Sequence, residues 1–226
     1  MLALVSVKDD SEALKCIDIV DIVDVKNPAE GSLGASYVWV IEEVSRICRE
    51  RNRLVSATVG DLDKSGLASL ASYAIAGKVD FVKVGLMADR DKAEEIIKSV
   101  MKSVNGKSKV IAVGYADYYD VNSISPFELL DLVREVKVDG VMIDTALKVK
   151  PSLEIMDYEE VERFIETAKG YGLICALAGG LKWEHLEIVK SLNPDVVGVR
   201  GLVCGGEREG ELDPELVERF VRVLKS

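Results

Sequence analysis

Short runs rich in β-branched residues recur along this 226-residue chain, and each is separated from the next by a segment with the apolar spacing of an amphipathic helix. Eight such runs can be read: Leu2 to Val7, Ile22 to Lys26, Leu54 to Val59, Phe81 to Val84, Val110 to Gly114, Gly140 to Ile143, Ile174 to Ala178 and Val196 to Val199. Several are apolar at consecutive positions, as strands buried on both faces are. Strand and helix in alternation specify a parallel sheet with crossover helices. The helices mark their own ends. Ser125-Pro126-Phe127-Glu128 has the form of a capping box with proline at the first helical position, Asp157 with Glu160 repeats it, and Asp213-Pro214-Glu215 opens a last helix. Asn105-Gly106 and Asn193-Pro194 close two others.

Eight strands with about as many helices predict a (β/α)8 TIM barrel, and barrels of this length occur as single domains. No Pro- or Ser-rich linker interrupts the alternation, so residues 1–226 are read as one barrel domain. A doubly wound open sheet is the second reading, but the GxGxxG turn after its first strand is missing.

Barrel enzymes work at the carboxyl ends of their strands, so the polar residues at those positions are the candidates. The second run supplies Asp24 and Lys26, which share a face because side chains alternate along a strand. The turn Asn27-Pro28 follows, and Ser32 is expected to cap a helix beginning near Ala35. The fourth run offers Lys83, the fifth Asp117, the sixth Asp144 and Lys148, and the eighth Arg200. Three lysines directed at one mouth are unusual, since lysine is rarely buried without a partner. Gly179-Gly180 and Gly201 end the last two strands, where barrels bind phosphate through backbone amides, and Arg200 is the expected guanidinium partner of that phosphate. Glu207 and Glu209 would repel an anion and are assigned to the rim.

A net charge of −10 disfavours a general role in binding nucleic acid or an anionic membrane, so a phosphorylated partner must be gripped locally. Cys16, Cys48, Cys175 and Cys204 show no metal-like spacing and read as reduced thiols of a cytoplasmic protein. His185 is the only histidine, so neither a histidine-ligated metal nor a Ser-His-Asp triad has material to build on. Tyr37 and Trp39 belong either to the core or to a homo-oligomer interface.

An amine attacks an aldehyde only when deprotonated, and neighbouring cations or an apolar pocket bring a lysine toward that state. Lys26 and Lys83 can do this for each other. Asp24 stands beside Lys26 in sequence to manage the protons of imine formation, while the apolar neighbours of Lys83 favour a neutral base. The residues themselves therefore support a Schiff-base barrel acting on a phosphorylated carbonyl compound. A non-covalent phosphosugar isomerase or decarboxylase, and a non-catalytic triose-phosphate-binding barrel, are the competing readings.

The stretch DVKNPAEGSLGA from Asp24 to Ala35 resembles the signature of the archaeal (5-formylfuran-3-yl)methyl phosphate synthases, and VKVG (Val82–Gly85), DTALK (Asp144–Lys148) and ALAGG (Ala176–Gly180) extend the likeness along the chain. That resemblance implies a carbon-oxygen lyase of methanofuran biosynthesis. It would condense two molecules of glyceraldehyde 3-phosphate, with loss of phosphate and water, to the furan aldehyde phosphate. It further implies Lys26 as the Schiff-base lysine, Lys83 as proton acceptor, Asp24, Asp144 and Lys148 in support, and no metal or organic cofactor.

Overall fold

The computed structural model describes residues 1–226, and its eight strands close in sequence order into a parallel barrel. Strand β1 (Leu2–Val7) leads to α1 (Asp10–Cys16), β2 (Ile22–Val25) to α2 (Val38–Glu50), and β3 (Leu54–Leu62) to α3 (Ser65–Ile75). Then β4 (Phe81–Leu86) leads to α4 (Arg90–Val104) and β5 (Lys109–Tyr115) to α5 (Pro126–Val136). Strand β6 (Gly140–Asp144) is followed by a short α6 (Ser152–Ile155) and by α7 (Tyr158–Gly170). The barrel finishes with β7 (Ile174–Leu177), α8 (Leu186–Leu192), β8 (Val196–Val199) and α9 (Pro214–Lys225).

Local chemistry fixes the helix ends. Ser125 with Glu128 and Asp157 with Glu160 form reciprocal capping boxes, Asp213 accepts the Glu215 amide, and Asn105 and Asn193 close α4 and α8 in left-handed conformations. Strand β3 runs three residues beyond the Val59 expected from its apolar run, across a register shift between Thr58 and Asp61. Helix α6, lying in the β6 loop, has no counterpart in the sequence reading.

The strands alternate between two apolar shells. Outward residues such as Val5, Val23, Val82 and Val141 join the helices in a cluster of 59 buried side chains, while inward ones, including Leu4, Ile22, Ile111 and Met142, form a smaller lumenal cluster of 11. At the amino end, an aspartate stands immediately before every even-numbered strand. Asp21, Asp80, Asp139 and Asp195 each accept, at 2.8 Å, an amide of the preceding odd strand, from Ala3, Val55, Val110 and Cys175 respectively. These bonds satisfy strand-start donors that the ladder leaves open.

At the carboxyl end, the segment from Asn27 to Gly34 crosses the mouth. Ser32 does not cap a helix: its hydroxyl donates to the Thr145 carbonyl beyond β6 at 2.6 Å, and α2 begins only at Val38. Leu33 enters the lumenal cluster, with its amide bonded to Asp61 of β3 at 3.1 Å, and Thr58 donates to the Gly34 carbonyl at 2.8 Å. The β3–β5 side of the mouth is thereby plugged. Beneath the plug the Tyr115 hydroxyl donates to Asp61, and a methyl group on Gly85 would lie 2.0 Å from that hydroxyl, so this position admits only glycine. Tyr37 and Trp39 are not core. They are 59% and 67% exposed and stack on each other, with ring centroids 4.6 Å apart.

Candidate active site

The open half of the mouth holds a cavity of about 840 Å³ into which Lys26, Lys83, Asp144, Lys148, Gly179 and Gly180 project. Its floor is set by strand register. Ser6 of β1 and Ser56 of β3 flank Asp24 of β2 directly, and both hydroxyls donate to the Asp24 carboxylate, at 2.8 and 2.5 Å. Lys83 completes that carboxylate with an ion pair of 2.7 Å. Asp24 is fully buried, which opposes its ionisation, but the Lys83 and Lys26 charges and the Lys83 and Ser56 hydrogen bonds hold it below the usual carboxylate range.

A second pair lies across the cavity. Lys148 donates to Asp144, which also accepts the Thr145 amide at 2.8 Å. Burial again opposes the charge, and the Lys148 and Lys26 ammonium groups overcome it and lower the Asp144 carboxyl. Lys148 takes a left-handed backbone conformation (φ 60°), although it carries a Cβ and closes no helix, and strain of this kind collects at functional sites.

Lys26 stands between the two pairs without an ion-pair partner of its own. Its amine meets only the Ser32 carbonyl, at 3.5 Å. Burial pushes this amine down to about 8; the Asp144 and Asp24 charges resist, while Lys148 and Lys83 reinforce the shift. The expected pairing is therefore exchanged. Asp24 and Lys26 do share a face, but Lys26 lies past the end of β2, and the Asp24 carboxylate turns along the floor to Lys83. The apolar neighbours of Lys83, Val82 and Val84, point outward into the helix-facing shell, so they do not surround its amine.

Two other candidates have structural duties. All five N–H donors of Arg200 are engaged. It binds Glu12 at 2.5 and 3.0 Å and the carbonyls of Ser6, Arg208 and Gly210 at 3.0, 2.9 and 2.8 Å. Arg200 has no donor left for phosphate, so it is not the phosphate guanidinium expected from its place at the end of β8. The sequence hid the reason, because Glu12 lies 188 positions away. Asp117 accepts the Ala146 and Leu147 amides at 2.7 and 2.8 Å and shapes the β6 loop from outside the cavity.

The glycine cradle is built as a concave backbone surface. Gly179 and Gly180 both have positive φ (96° and 65°), and neither amide donates a hydrogen bond within the chain. Their loop is pinned from behind, since Ser152 donates through its amide and hydroxyl to the Gly179 and Ala178 carbonyls at 2.8 and 2.6 Å. Gly201 opens a 3-10 turn on the neighbouring loop. Glu207 and Glu209 are exposed, as assigned. His185 ends another 3-10 turn, where its Nδ1 accepts the Lys182 amide at 3.2 Å. The four cysteines are buried and unpaired, and burial pushes the thiols of Cys16 and Cys175 up to about 12.

Ser6, Ser56, Glu12, Tyr115 and Asp61 were missed in the sequence. For the two serines a signal existed, since each interrupts an apolar strand (LALVSV, LVSATV) at an inward position. No helix is long and apolar enough to cross a membrane, and no group of three or more His, Cys, Asp or Glu side chains is placed to hold a metal.

Solved structures share this barrel. Orotidine 5′-monophosphate decarboxylase from Methanocaldococcus jannaschii superposes with a TM-score of 0.68 at 18% identity, over 100% of this chain and 98% of that one. A 3-hexulose-6-phosphate synthase gives 0.64 at 20% identity, over 100% and 98%. At these identities the likeness shows the fold alone. Sequence relatives go further. The (5-formylfuran-3-yl)methyl phosphate synthase of Archaeoglobus fulgidus is 42% identical over 99% of both chains, and that of Methanosarcina mazei 44% identical over 98% of both. The family model for 4-HFC-P synthase matches residues 3–221. With the match spanning every strand of the barrel and both ion pairs around Lys26, the chain belongs to the 4-HFC-P synthase family of enzymes.

Proposed function

We propose that this enzyme condenses two molecules of glyceraldehyde 3-phosphate to (5-formylfuran-3-yl)methyl phosphate for methanofuran biosynthesis, as a carbon-oxygen lyase working through a Schiff base on Lys26. The observation that carries the mechanism is the isolation of that amine: buried, brought to about 8, and left without a carboxylate partner between two complete ion pairs. A free amine attacks the aldehyde carbon of the first triose phosphate, and the carbinolamine then loses water to give an imine. The imine draws electrons from the adjacent carbon, so a proton leaves it, and that carbon adds to the aldehyde of the second molecule. Hydrolysis of the imine takes back the water lost when it formed and frees the Lys26 amine, and loss of one phosphate and further water closes the ring, which keeps the other phosphate.

Proton transfers fall to the two pairs that flank Lys26. Lys83 is assigned the proton-acceptor role, in the form left once its own proton has passed to Asp24 along their 2.7 Å contact; Asp144 and Lys148 serve the hydroxyl groups that leave as water. The Gly179, Gly180 and Gly201 loops are assigned to a substrate phosphate, with the unengaged Gly179 and Gly180 amides as donors. A cavity of about 840 Å³ leaves room for two phosphorylated trioses.

Borohydride reduction in the presence of glyceraldehyde 3-phosphate tests the covalent step. We expect one reduced adduct, mapped by peptide mass to Lys26, together with release of inorganic phosphate on turnover. Turnover with no adduct on any lysine favours the non-covalent phosphosugar chemistry, and binding without phosphate release favours a non-catalytic barrel.

A further inference from the structure

Seven cations line the cavity, and most are already neutralised. Lys83 pairs with Asp24, Lys148 with Asp144, Lys182 with Glu154 and Arg200 with Glu12. Lys26, Lys150 and Arg208 have no such partner, and of these Lys150 is an exposed loop residue. Arg208 differs from it. Its Nη2 donates to the Pro28 carbonyl at 2.7 Å and to the Gly31 carbonyl, both in the segment that follows Lys26 across the mouth. Its Nη1 has no acceptor in the chain, and its Nε is buried with no hydrogen-bond partner. Nη1 is therefore a charged donor that the chain leaves unused on a residue lining the cavity. Gly205, three positions before Arg208, also has positive φ and an amide that donates to nothing.

We propose that Arg208 is the phosphate-binding guanidinium of this site, and that it couples phosphate occupancy to the position of the segment over Lys26. This rests on the reading above that the substrate is a phosphorylated aldehyde. The chemistry fits a phosphoryl group, which offers several oxygens to donors left over after Nη2 has engaged two carbonyls. Arg208 lines the same cavity as Gly179 and Gly180, whose amides are unengaged.

The test separates phosphate binding from loop support. Calorimetry with inorganic phosphate should show binding to the wild type and an affinity lower by about tenfold to a hundredfold in Arg208→Gln, the usual worth of a charged hydrogen bond. Undetectable binding to the wild type, or equal affinity in the variant, overturns the proposal. Borohydride trapping is then run with glyceraldehyde 3-phosphate and with unphosphorylated glyceraldehyde. We expect the concentration needed for half-maximal adduct to rise in Arg208→Gln for the phosphorylated aldehyde only. An equal rise for both aldehydes shows that Arg208 merely supports the segment, which also overturns the proposal. If Arg208→Gln does not fold, Arg208→Lys takes its place, with a smaller loss of phosphate affinity and the same split expected, because the ammonium keeps the charge but lacks the planar fork that meets a phosphoryl group. A wild type that binds phosphate but traps no aldehyde at all refutes the Schiff base and leaves the assignment of Arg208 standing.

Discussion

Arg200 and Lys26 are both buried at the carboxyl end of the barrel, 6% and 7% exposed, yet their surroundings could hardly be more different. Arg200 is surrounded by acceptors. Every donor is engaged, and Glu12, although burial opposes its charge, is held below the usual carboxylate range by the Arg200 hydrogen bonds and the Lys8 amide. Lys26 has the opposite arrangement. The carboxylates near it are already completed by Lys83 and Lys148, and its amine is left over. Equal burial thus produces a fixed cross-link in one place and an unpartnered amine in the other. What separates them is whether the neighbours' hydrogen-bonding capacity is exhausted before the residue itself is counted.

The largest expected effect follows from the leftover amine. Lys26→Met should abolish both turnover and the trapped adduct, because no other amine in the cavity lacks a carboxylate at comparable depth. Stability should not fall with activity. The substitution leaves Asp24–Lys83 and Asp144–Lys148 balanced and removes an unpaired buried amine, so the melting temperature at pH 7 should hold or rise. A variant that unfolds early would show that Lys26 is held by its neighbours after all, and the contrast with Arg200 would collapse.

Arg200→Met should behave in reverse. Removing one partner of a buried pair leaves Glu12 as an uncompensated charge, at a cost of about 3–5 kcal/mol. In a chain of this size that is a melting shift on the order of 10 °C. Trapping of unphosphorylated glyceraldehyde on Lys26, measured well below the transition, should be nearly unchanged. Restoration of much of the lost stability in Glu12→Leu/Arg200→Met would confirm that the cost lies in the orphaned carboxylate. A variant with native melting but no adduct would instead return Arg200 to the active site.

How much of this was legible follows from how far each feature reaches along the chain. Eight strands and the caps of α4, α5, α7, α8 and α9 depend on neighbours within a few residues, so the sequence displays them. Lys26, Lys83, Asp144 and Lys148 could be named because strand ends in a barrel converge on one mouth. Their pairing could not be read. Whether Asp24 meets Lys26 or Lys83 depends on barrel register, which sets Ser6 and Ser56 beside it and leaves Lys83 to close the set. Arg200 failed for the same reason at longer range. The aspartates before the even strands illustrate the converse: Asp21, Asp80, Asp139 and Asp195 occupy equivalent positions, yet each looks like an ordinary turn residue until the neighbouring strand supplies its amide.

The plugged side of the mouth offers a smaller test of the same rule. Asp61 is engaged by the Tyr115 hydroxyl and the Leu33 amide, so this cluster belongs with Arg200 rather than with Lys26. Tyr115→Phe should cost roughly 1–3 kcal/mol in denaturant unfolding, the price of a buried acceptor losing its donor. Gly85→Ala should cost more in the wild type than in Tyr115→Phe, since the added methyl meets the hydroxyl at 2.0 Å and the variant lacks that atom. Recovery should be partial, because Leu33 and Asp61 would still lie 2.8 and 2.9 Å from the methyl. Strict additivity of the two changes would mean that the hydroxyl does not occupy the space Gly85 leaves.

The subtlest effect is on pH dependence. If the free amine of Lys26 is the reactive form, adduct formation at limiting aldehyde should rise with pH through a midpoint of about 8 and level off above it. The sign follows from the charge state: below the midpoint Lys26 is an ammonium and cannot attack. The charges around it predict opposite displacements in two variants. Asp144 favours the ammonium, so Asp144→Asn should move the midpoint down; Lys148 disfavours it, so Lys148→Met should expose the Asp144 charge and move the midpoint up. Both variants keep the nucleophile, so the level reached above the midpoint should change less than its position. Stopped-flow measurement of adduct formation between pH 6 and 10 would read both. Two shifts in the same direction, or a midpoint unmoved by either change, would show that burial alone tunes Lys26 and that the flanking pairs act only in later proton transfers.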